Sequence, residues 1–319
     1  MTRPLWADDE YDQPKPAGTG AVRVRVPAKV NLHLGVGEVR PDNYHELQTV
    51  YHAISLFDEV TARPGDTLAL TMAGEGAGEL ALDDSNLVLR AARALAEHAD
   101  VPAHARLHLR KQIPLAGGLA GGSADAAATL VACDALWDLG LSREELAGLA
   151  AGLGADVPFL IYGGTALGIG RGEQVSPVLA RPGVWHWVVG FHDGGLATPE
   201  VYQELDRLRA ADAAPAPLPE PAGLLAALRQ RDPEVLGAAL GNDLAAAARS
   251  LRPELSAVLA AGEAAGALAG LISGSGPTCV FLARHAEHAA EVAAALTGAE
   301  VCRAVRTCHG PVPGARVQH

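Results

Sequence analysis

Aromatic residues make up only 4% of this 319-residue chain, lysine occurs three times and cysteine four times. Each shortage excludes something. With 25 basic residues against 37 acidic ones, the net charge of −12 leaves no broad cationic surface of the kind that binds nucleic acid. Cys133, Cys279, Cys302 and Cys308 contain no C-x-x-C pair, so neither a disulfide framework nor a zinc site is expected, and free thiols in a reducing cytoplasm are. No apolar run reaches the ~20 residues a membrane helix needs. Residues 1–20 lack the basic-then-apolar layout of a secretory signal and read as a flexible leader. The expected location is therefore cytoplasmic, with no membrane and no nucleic-acid partner.

What the chain does contain is ordinary hydrophobic content, 49%, over a length sufficient for two cores. Val22–Val26 alternates as a strand, with Pro27 a break or edge position before Ala28–Leu34. Arg40–His45 is turn chemistry, His45–Val60 reads as extended, and Thr67–Met72 and Ala105–Arg110 as further strands. Asn86–His98 reads as a helix capped by Ser85, and Ser142-Arg-Glu-Glu145 as a capping box. A short helix is expected from Gly154, and a glycine-rich turn or strand over 165–172. A second unit starts near Val184, with a strand over Trp185–Phe191 and a helix opening at Leu196–Tyr202. Alanine-rich helices follow over 222–230, 233–248 and 253–267, then a glycine turn running into a strand at Ile272–Phe281, a helix over 286–296 and a last strand at Val301–Thr307. The pattern is α+β, with a leader (1–20), an N-terminal domain (21–181), a C-terminal domain (182–310) and a loose Pro-rich tail (311–319). The interface between two such units is a common place for a small-molecule cleft.

The most patterned stretch is Ile113–Ala128, where a proline leads into four glycines, a serine and an alanine-rich run. Glycines permit a sharp bend with exposed N–H groups, and a helix N-terminus that follows them is an anion site. Ser123 is read as its cap. No lysine follows the glycines, so this is not a Walker A loop, and Leu119 or Ala120 occupies the third position of a dinucleotide fingerprint. A plain Gly/Ala-rich turn without ligand fits the same residues. Arginine dominates the basic residues; besides Lys15 in the leader, only Lys29 and Lys111 are lysines, each beside a patterned segment. A lysine kept in such a background points to a compact charge that a guanidinium fork cannot replace.

Pro27-Ala-Lys-Val-Asn-Leu32, the glycine loop and Ser273-Gly-Ser-Gly-Pro-Thr278, in that order, resemble the three signature motifs of the GHMP small-molecule kinases. Together with Arg40-Pro-Asp-Asn-Tyr-His-Glu-Leu47 and Gly154-Ala-Asp-Val-Pro-Phe159 they are most similar to the branch whose acceptor is a CDP-linked methylerythritol, and the resemblance spans about Val22 to His309. It implies a two-domain fold, with a ribosomal-protein-like N-terminal α/β domain and a ferredoxin-like C-terminal domain. It implies an ATP-dependent phosphorylation of the acceptor's 2-hydroxyl in non-mevalonate isoprenoid synthesis, by a monomer or weak homodimer.

On that resemblance Asp156 accepts the hydroxyl proton and Lys29 stabilises the developing alkoxide and phosphoryl charge. Read without it, Asp156 is as well a helix cap before Val157-Pro158, and Lys29 a solvated strand lysine. Asn31 would bind the methylerythritol or position Lys29. Tyr44 would stack on cytosine, a contact worth ~1–3 kcal/mol, with His45 on the base's polar edge and Tyr202 on the other face. The loop Pro114, Leu115, Ala116, Gly117, Gly118, Leu119, Ala120, Gly121, Gly122, Ser123 and Ala124 would wrap the ATP phosphates, with Asn86 and Lys111 near the adenine. Ser273–Pro277 would support the substrate end. Magnesium is expected because transferring phosphates need neutralising, although no metal-ligand cluster is legible.

This chain departs from the family pattern at three places: Asn43 for a glycine before Tyr44, Ala120 for a glycine in the loop, and Ala124-Asp125 where serine-asparagine is common. Asparagine tolerates a left-handed backbone, so the turn is expected to survive; a methyl at Ala120 crowds the phosphates if φ there is positive, to a degree the four remaining glycines are expected to make tolerable. Three readings compete with the leading one. Another GHMP kinase has no use for the base platform Tyr44-His45. A catalytically silent nucleotide binder has no use for both Lys29 and Asp156. A plain α+β protein would not bind ATP at all.

Overall fold

The structure, a computed structural model, describes residues 20–178 and 183–318. The proposed leader with Lys15, the 181/182 boundary and His319 fall outside them, Gly20 excepted. The first half runs β1 (Val22–Val39), β2 (His45–Arg63), β3 (Ala69–Gly74), α1 (Leu87–His98), β4 (Arg106–Lys111), α2 (Gly121–Trp137), α3 (Arg143–Ala151), α4 (Val157–Tyr162), β5 (Thr165–Gly170) and β6 (Gln174–Pro177). The second half runs β7 (Trp185–Phe191), α5 (Thr198–Ala210), α6 (Ala222–Gln230), α7 (Pro233–Ala238), β8 (Gly241–Asn242), α8 (Ala245–Leu251), α9 (Leu255–Ala264), β9 (Ala269–Ile272), β10 (Cys279–Ala283), α10 (Ala286–Gly298), β11 (Ala304–Gly310) and β12 (Arg316–Val317). Among the described residues no helix is long and apolar enough to cross a membrane.

The first sheet has the order β12-β1-β2-β4-β3, with β5 also on β2, β6 on β5 and β8 on β1. The long antiparallel β1–β2 pair is its spine, with Lys29 opposite Ala53 and Asn31 opposite Tyr51. Helix α2 lies against this pair and is buried on every side from Ala124 to Asp134. Its surface is mostly alanine, which lets it approach the sheet closely, and its buried polar residues such as Asp125 and Thr129 are hydrogen-bonded. The second sheet, β11-β7-β10-β9, is antiparallel throughout. Its β-α-β-β-α-β chain order and the placing of β7 between β11 and β10 are those of the ferredoxin-like arrangement.

Several expectations need correction. Pro27 does not break the first strand: β1 runs straight through, and the β1–β2 register shifts between Pro27 and Ala28 instead. The cap of α1 is Asn86, whose Oδ1 accepts from Val88 N at 2.9 Å, not Ser85. Ser123 does not cap α2, because the helix has already begun at Gly121 behind a left-handed Ala120. The helix expected over 233–248 is two, α7 and α8, separated by β8, because Gly241-Asn242 pairs with β1. The tail is not loose: Val312 and Ala315 are buried, Pro313 bridges Gly163, and β12 pairs Arg316 with Arg25.

Lys111, at the end of β4, is the largest departure from its expected place. Its ammonium is fully buried and lies 2.6 Å from Asp58 Oδ2 and 2.7 Å from Asp125 Oδ2. Asp58 is fully partnered, since its Oδ1 also accepts the N–H groups of Gln112 and Ile113. Asp125 Oδ1 is buried and has no partner. Burial, and then the neighbouring Asp58 against the opposing pull of Lys111, raises the Asp125 carboxyl well above the usual range. Burial alone would push Lys111 down, but Asp125 and Asp58 together raise it. The upward shift of Asp125 offsets part of the excess negative charge that two carboxyls place around one ammonium.

Two outcomes follow for stability. Lys111→Met leaves carboxyls buried without a counter-charge and should cost about 3–5 kcal/mol in denaturant unfolding. Because Asp125 titrates upward, the stability it contributes is complete below the unfolded carboxylate pKa of about 3.9 and is lost as pH rises through the raised folded value. Asp125→Asn, which mimics the protonated form, should therefore show a Tm advantage over the parent that widens as pH rises from about 4. A constant Tm difference across pH would contradict the assignment.

Candidate active site

One cleft of about 1110 Å³ is lined by β1, the glycine loop, the segment before α4, the start of α5 and the Gly274-Ser275 turn. Lys29 and Asn31 are two residues apart on β1 and so share one face. The Lys29 ammonium donates to Asn31 Oδ1 at 2.8 Å and lies 3.7 Å from Asp156 Oδ2. The orientation of Asn31 is fixed by a third residue, Thr49. Its one hydroxyl hydrogen goes to the His33 carbonyl at 2.8 Å, so its oxygen accepts from Asn31 Nδ2 at 2.7 Å. That leaves Asn31 Oδ1 turned to the lysine.

Asp156 sits at the start of α4 but makes no side-chain cap bond; Pro158 in the first turn removes an N–H that a cap would satisfy. The capping alternative is thereby removed, and the carboxylate faces Lys29 instead. Tyr51, on β2, lines the cleft beside the same carboxylate, and burial first, then the Asp156 charge, pushes its phenol well above the ordinary range. Its ring stacks on Phe159 at 4.9 Å, and side chains at Gly168 and Gly172 would occupy its space.

The loop is built on left-handed residues: Ala116 (φ 48°), Gly118 (φ 75°) and Ala120 (φ 57°). Ala120 thus does take the positive φ at which its methyl was of concern. Lys29 N donates to Leu119 O at 3.2 Å and Ser273 Oγ to Gly118 O at 3.0 Å, so the loop is tied both to β1 and to the second sheet's turn. Asn242 holds that turn through the Ile272 and Gly274 carbonyls at 2.8 and 2.7 Å. The first N–H groups of α2 lack intrahelical acceptors and, with the helix dipole, make the loop's end an anion site.

At the cleft's other end, Tyr44 is 56% exposed, with the Arg171 guanidinium 5.2 Å from its ring centre. The turn before it survives the loss of glycine, with Asn43 at φ 63°. His45 stacks on Tyr202 at 5.0 Å and 29°, and its Nε2 is 2.9 Å from Asp206 Oδ1.

The cleft thus brings together Lys29, Asn31, Tyr44, His45, Asp156 and Tyr202 with loop residues Ala116, Gly117, Gly118, Ala120, Gly121, Gly122 and Ser123. It does not bring in Leu119 and Ala124, which are core, or Pro114 and Leu115. Asn86 and Lys111 also lie off the cleft, engaged as a helix cap and as the loop's buried anchor. Thr49, Tyr51, Arg171 and Asp206 belong to the site's surroundings and went unread in the sequence. Their roles depend on cross-strand and inter-helix proximity, which no local pattern encodes. Among the described residues no group of three or more His, Cys, Asp and Glu could hold a metal. Ser123 and Asp156 both line the cleft, the first at the loop's end and the second beside Lys29. One hydroxyl and one carboxylate suit magnesium, which keeps waters and substrate phosphates as its other ligands.

The cleft between a phosphate loop and a Lys–Asp pair, on this pair of sheets, defines a GHMP-type small-molecule kinase. The family models agree: GHMP kinases N terminal domain matches residues 86–164 and GHMP kinases C terminal matches 224–301. The chain is 73% identical to the 4-diphosphocytidyl-2-C-methyl-D-erythritol kinase of Salinispora arenicola over 98% of both chains. It is 56% identical to the enzyme of that name from Mycobacterium tuberculosis over 94% of this chain and 93% of the relative. A crystal structure of 4-(cytidine 5'-diphospho)-2C-methyl-D-erythritol kinase superposes with a TM-score of 0.73 at 36% identity, covering 90% of this chain and 98% of that one. The chain belongs, within the GHMP kinases, to the family of 4-diphosphocytidyl-2-C-methyl-D-erythritol kinases.

Gly118 tests how the loop is held. Any Cβ there would collide with the Ser273 carbonyl oxygen at a backbone angle L-residues resist. Gly118→Ala should lose about 1–3 kcal/mol of stability and abolish the thermal shift given by an ATP analogue. A variant with the parent's shift would show that the loop–turn contact does not shape the nucleotide site.

Proposed function

We propose that this chain transfers the γ-phosphoryl group of ATP to the 2-hydroxyl of 4-diphosphocytidyl-2-C-methyl-D-erythritol, a step of non-mevalonate isoprenoid precursor synthesis. The observation that carries the assignment of roles is the Lys29–Asp156 contact of 3.7 Å between the phosphate loop and the base platform. A donor triphosphate cradled by the loop and an acceptor held at Tyr44 and His45 would meet at that pair.

Asp156 receives the proton of the attacking hydroxyl as the oxygen–phosphorus bond forms and the bond to ADP breaks. Its carboxylate faces the Lys29 ammonium at 3.7 Å. Lys29, held by Asn31, stands beside the charge that develops on the alkoxide and the phosphoryl oxygens. The loop's N–H groups orient the phosphates, and the tie from Ser273 to Gly118 fixes the loop against the acceptor side. Ser123 and Asp156 would hold a magnesium ion, which would supply neutralisation of the phosphate charge. Tyr44 stacks on the cytosine and His45 meets its edge, while Tyr202, expected on the base's other face, backs the His45 ring instead. ATP and the CDP-linked alcohol are the partners, and the reaction belongs in the cytoplasm. Retention of both Lys29 and Asp156 disfavours a silent nucleotide binder, and the base platform disfavours an acceptor such as mevalonate or homoserine.

With ATP and magnesium, the purified protein should form ADP on addition of the CDP-linked acceptor and not on addition of mevalonate or homoserine; the reverse pattern rejects the assignment. Asp156→Asn should lower kcat by about 10²–10⁴-fold while leaving ATP-analogue binding intact, and undiminished turnover would remove the aspartate from the mechanism.

A further inference from the structure

We propose that Asp206 is a positioning residue that sets the base preference of the acceptor site, by holding His45 in the tautomer that accepts a hydrogen bond from an exocyclic amine. The site would thereby take a cytosine-linked acceptor and reject its uracil counterpart. This rests on the reading of the chain as a kinase of a cytidine-linked alcohol and assigns that reading's selectivity to a residue outside its motifs.

Tyr202 and Asp206 are four residues apart on α5 and so lie on one face of the helix. Both engage His45, in different ways. Tyr202 covers the ring's plane at 5.0 Å, and Asp206 Oδ1 takes its Nε2 edge at 2.9 Å. With a side chain only 8% exposed, His45 cannot turn its ring over without giving up the Asp206 bond. A carboxylate has no hydrogen to give, so the hydrogen of that bond is on Nε2. In a neutral imidazole the other nitrogen, Nδ1, then carries the lone pair, and it can only accept.

The two pyrimidines differ at the atom such a nitrogen would meet. Cytosine presents an amine, N4–H₂, where the uracil type of base presents a carbonyl oxygen. An amine completes the bond to Nδ1, whereas a carbonyl sets two lone pairs against each other and leaves both unsatisfied. The stacking surfaces do not discriminate, because every base has a π-face. Arg171, the charged group over Tyr44, lies on the platform's face and does not supply an edge contact to His45. Asp206 is itself 46% exposed, so its bond to His45 adds little to stability. Its position reads as a constraint on His45 more than as a support for the fold.

The test compares cytidine-linked and uridine-linked forms of the methylerythritol diphosphate as acceptors at pH 8.5, where an ordinary imidazole is neutral. The unaltered protein should prefer the cytidine form by about 10–100-fold in kcat/KM, the ratio that one unsatisfied polar contact produces. An amide at 206 can either accept from Nε2 or donate to it, so Asp206→Asn should cut that preference at least severalfold. The change should appear in the acceptor KM, with kcat and the ATP KM unchanged, and Asp206→Glu should restore most of the preference. An Asp206→Asn variant with the parent's ratio, or one that loses both acceptors equally, overturns the proposal. Independently of any variant, ¹⁵N chemical shifts of His45 in the unaltered protein should place the proton on Nε2, and a proton on Nδ1 overturns it. If the unaltered protein phosphorylates neither acceptor, the parent reading falls with this one; turnover with no base preference overturns this inference alone.

Discussion

The buried ammonium of Lys111 is the constraint on which the site depends. It is bonded at once to Asp58 from β2 and Asp125 from α2, and it stands at the end of β4 where the glycine loop departs. Asp58 in turn takes the N–H groups of Gln112 and Ile113, the loop's first residues. Both ends of the loop are therefore fixed to one charge cluster. A Cβ on Gly121 would begin 3.3 Å from the Lys111 ammonium, so the cluster lies directly beneath the helix start. Buried charge is costly, and the ammonium persists because two carboxyls face it.

A second cluster, built with the same economy, faces the cleft. Lys29 has one amide oxygen and one carboxylate near it, and that amide is itself aligned by Thr49. The two lysines thus divide the labour: one is buried and structural, the other borders the open cavity. Arginine, abundant elsewhere in the chain, would not substitute in either place, since a planar fork needs more room and a different arrangement of acceptors.

Much of this was legible in the residues. The alternation of Val22–Val26, the capping box at Ser142, and the glycine loop feeding an alanine helix all express local rules, and β1, α3 and α2 follow them. The Lys29–Asp156 pair was accessible because both residues lie in motifs. Lys111 was misplaced because a lysine beside a phosphate loop looks like a ligand contact; only the fold reveals Asp58, 53 residues away, as its partner. The tail was misjudged for a related reason: a Pro- and Gly-bearing segment carries no strand pattern, yet β12 needs only two residues to pair with β1. Thr49, Tyr51 and Asp206 act through contacts across strands or from a distant helix, and single-sequence periodicity holds no record of those.

Ala116 and Ala120 hold left-handed backbone angles that glycine would adopt without strain. Each alanine costs on the order of 1 kcal/mol in that conformation, but each also narrows the set of shapes the loop can take when empty. A glycine loop must be ordered by its ligand, and part of the binding free energy is spent on that ordering. Here the ordering is done during folding. The nucleotide meets a cradle whose entropy has already been given up, so recognition at this end of the cleft is closer to docking than to closure.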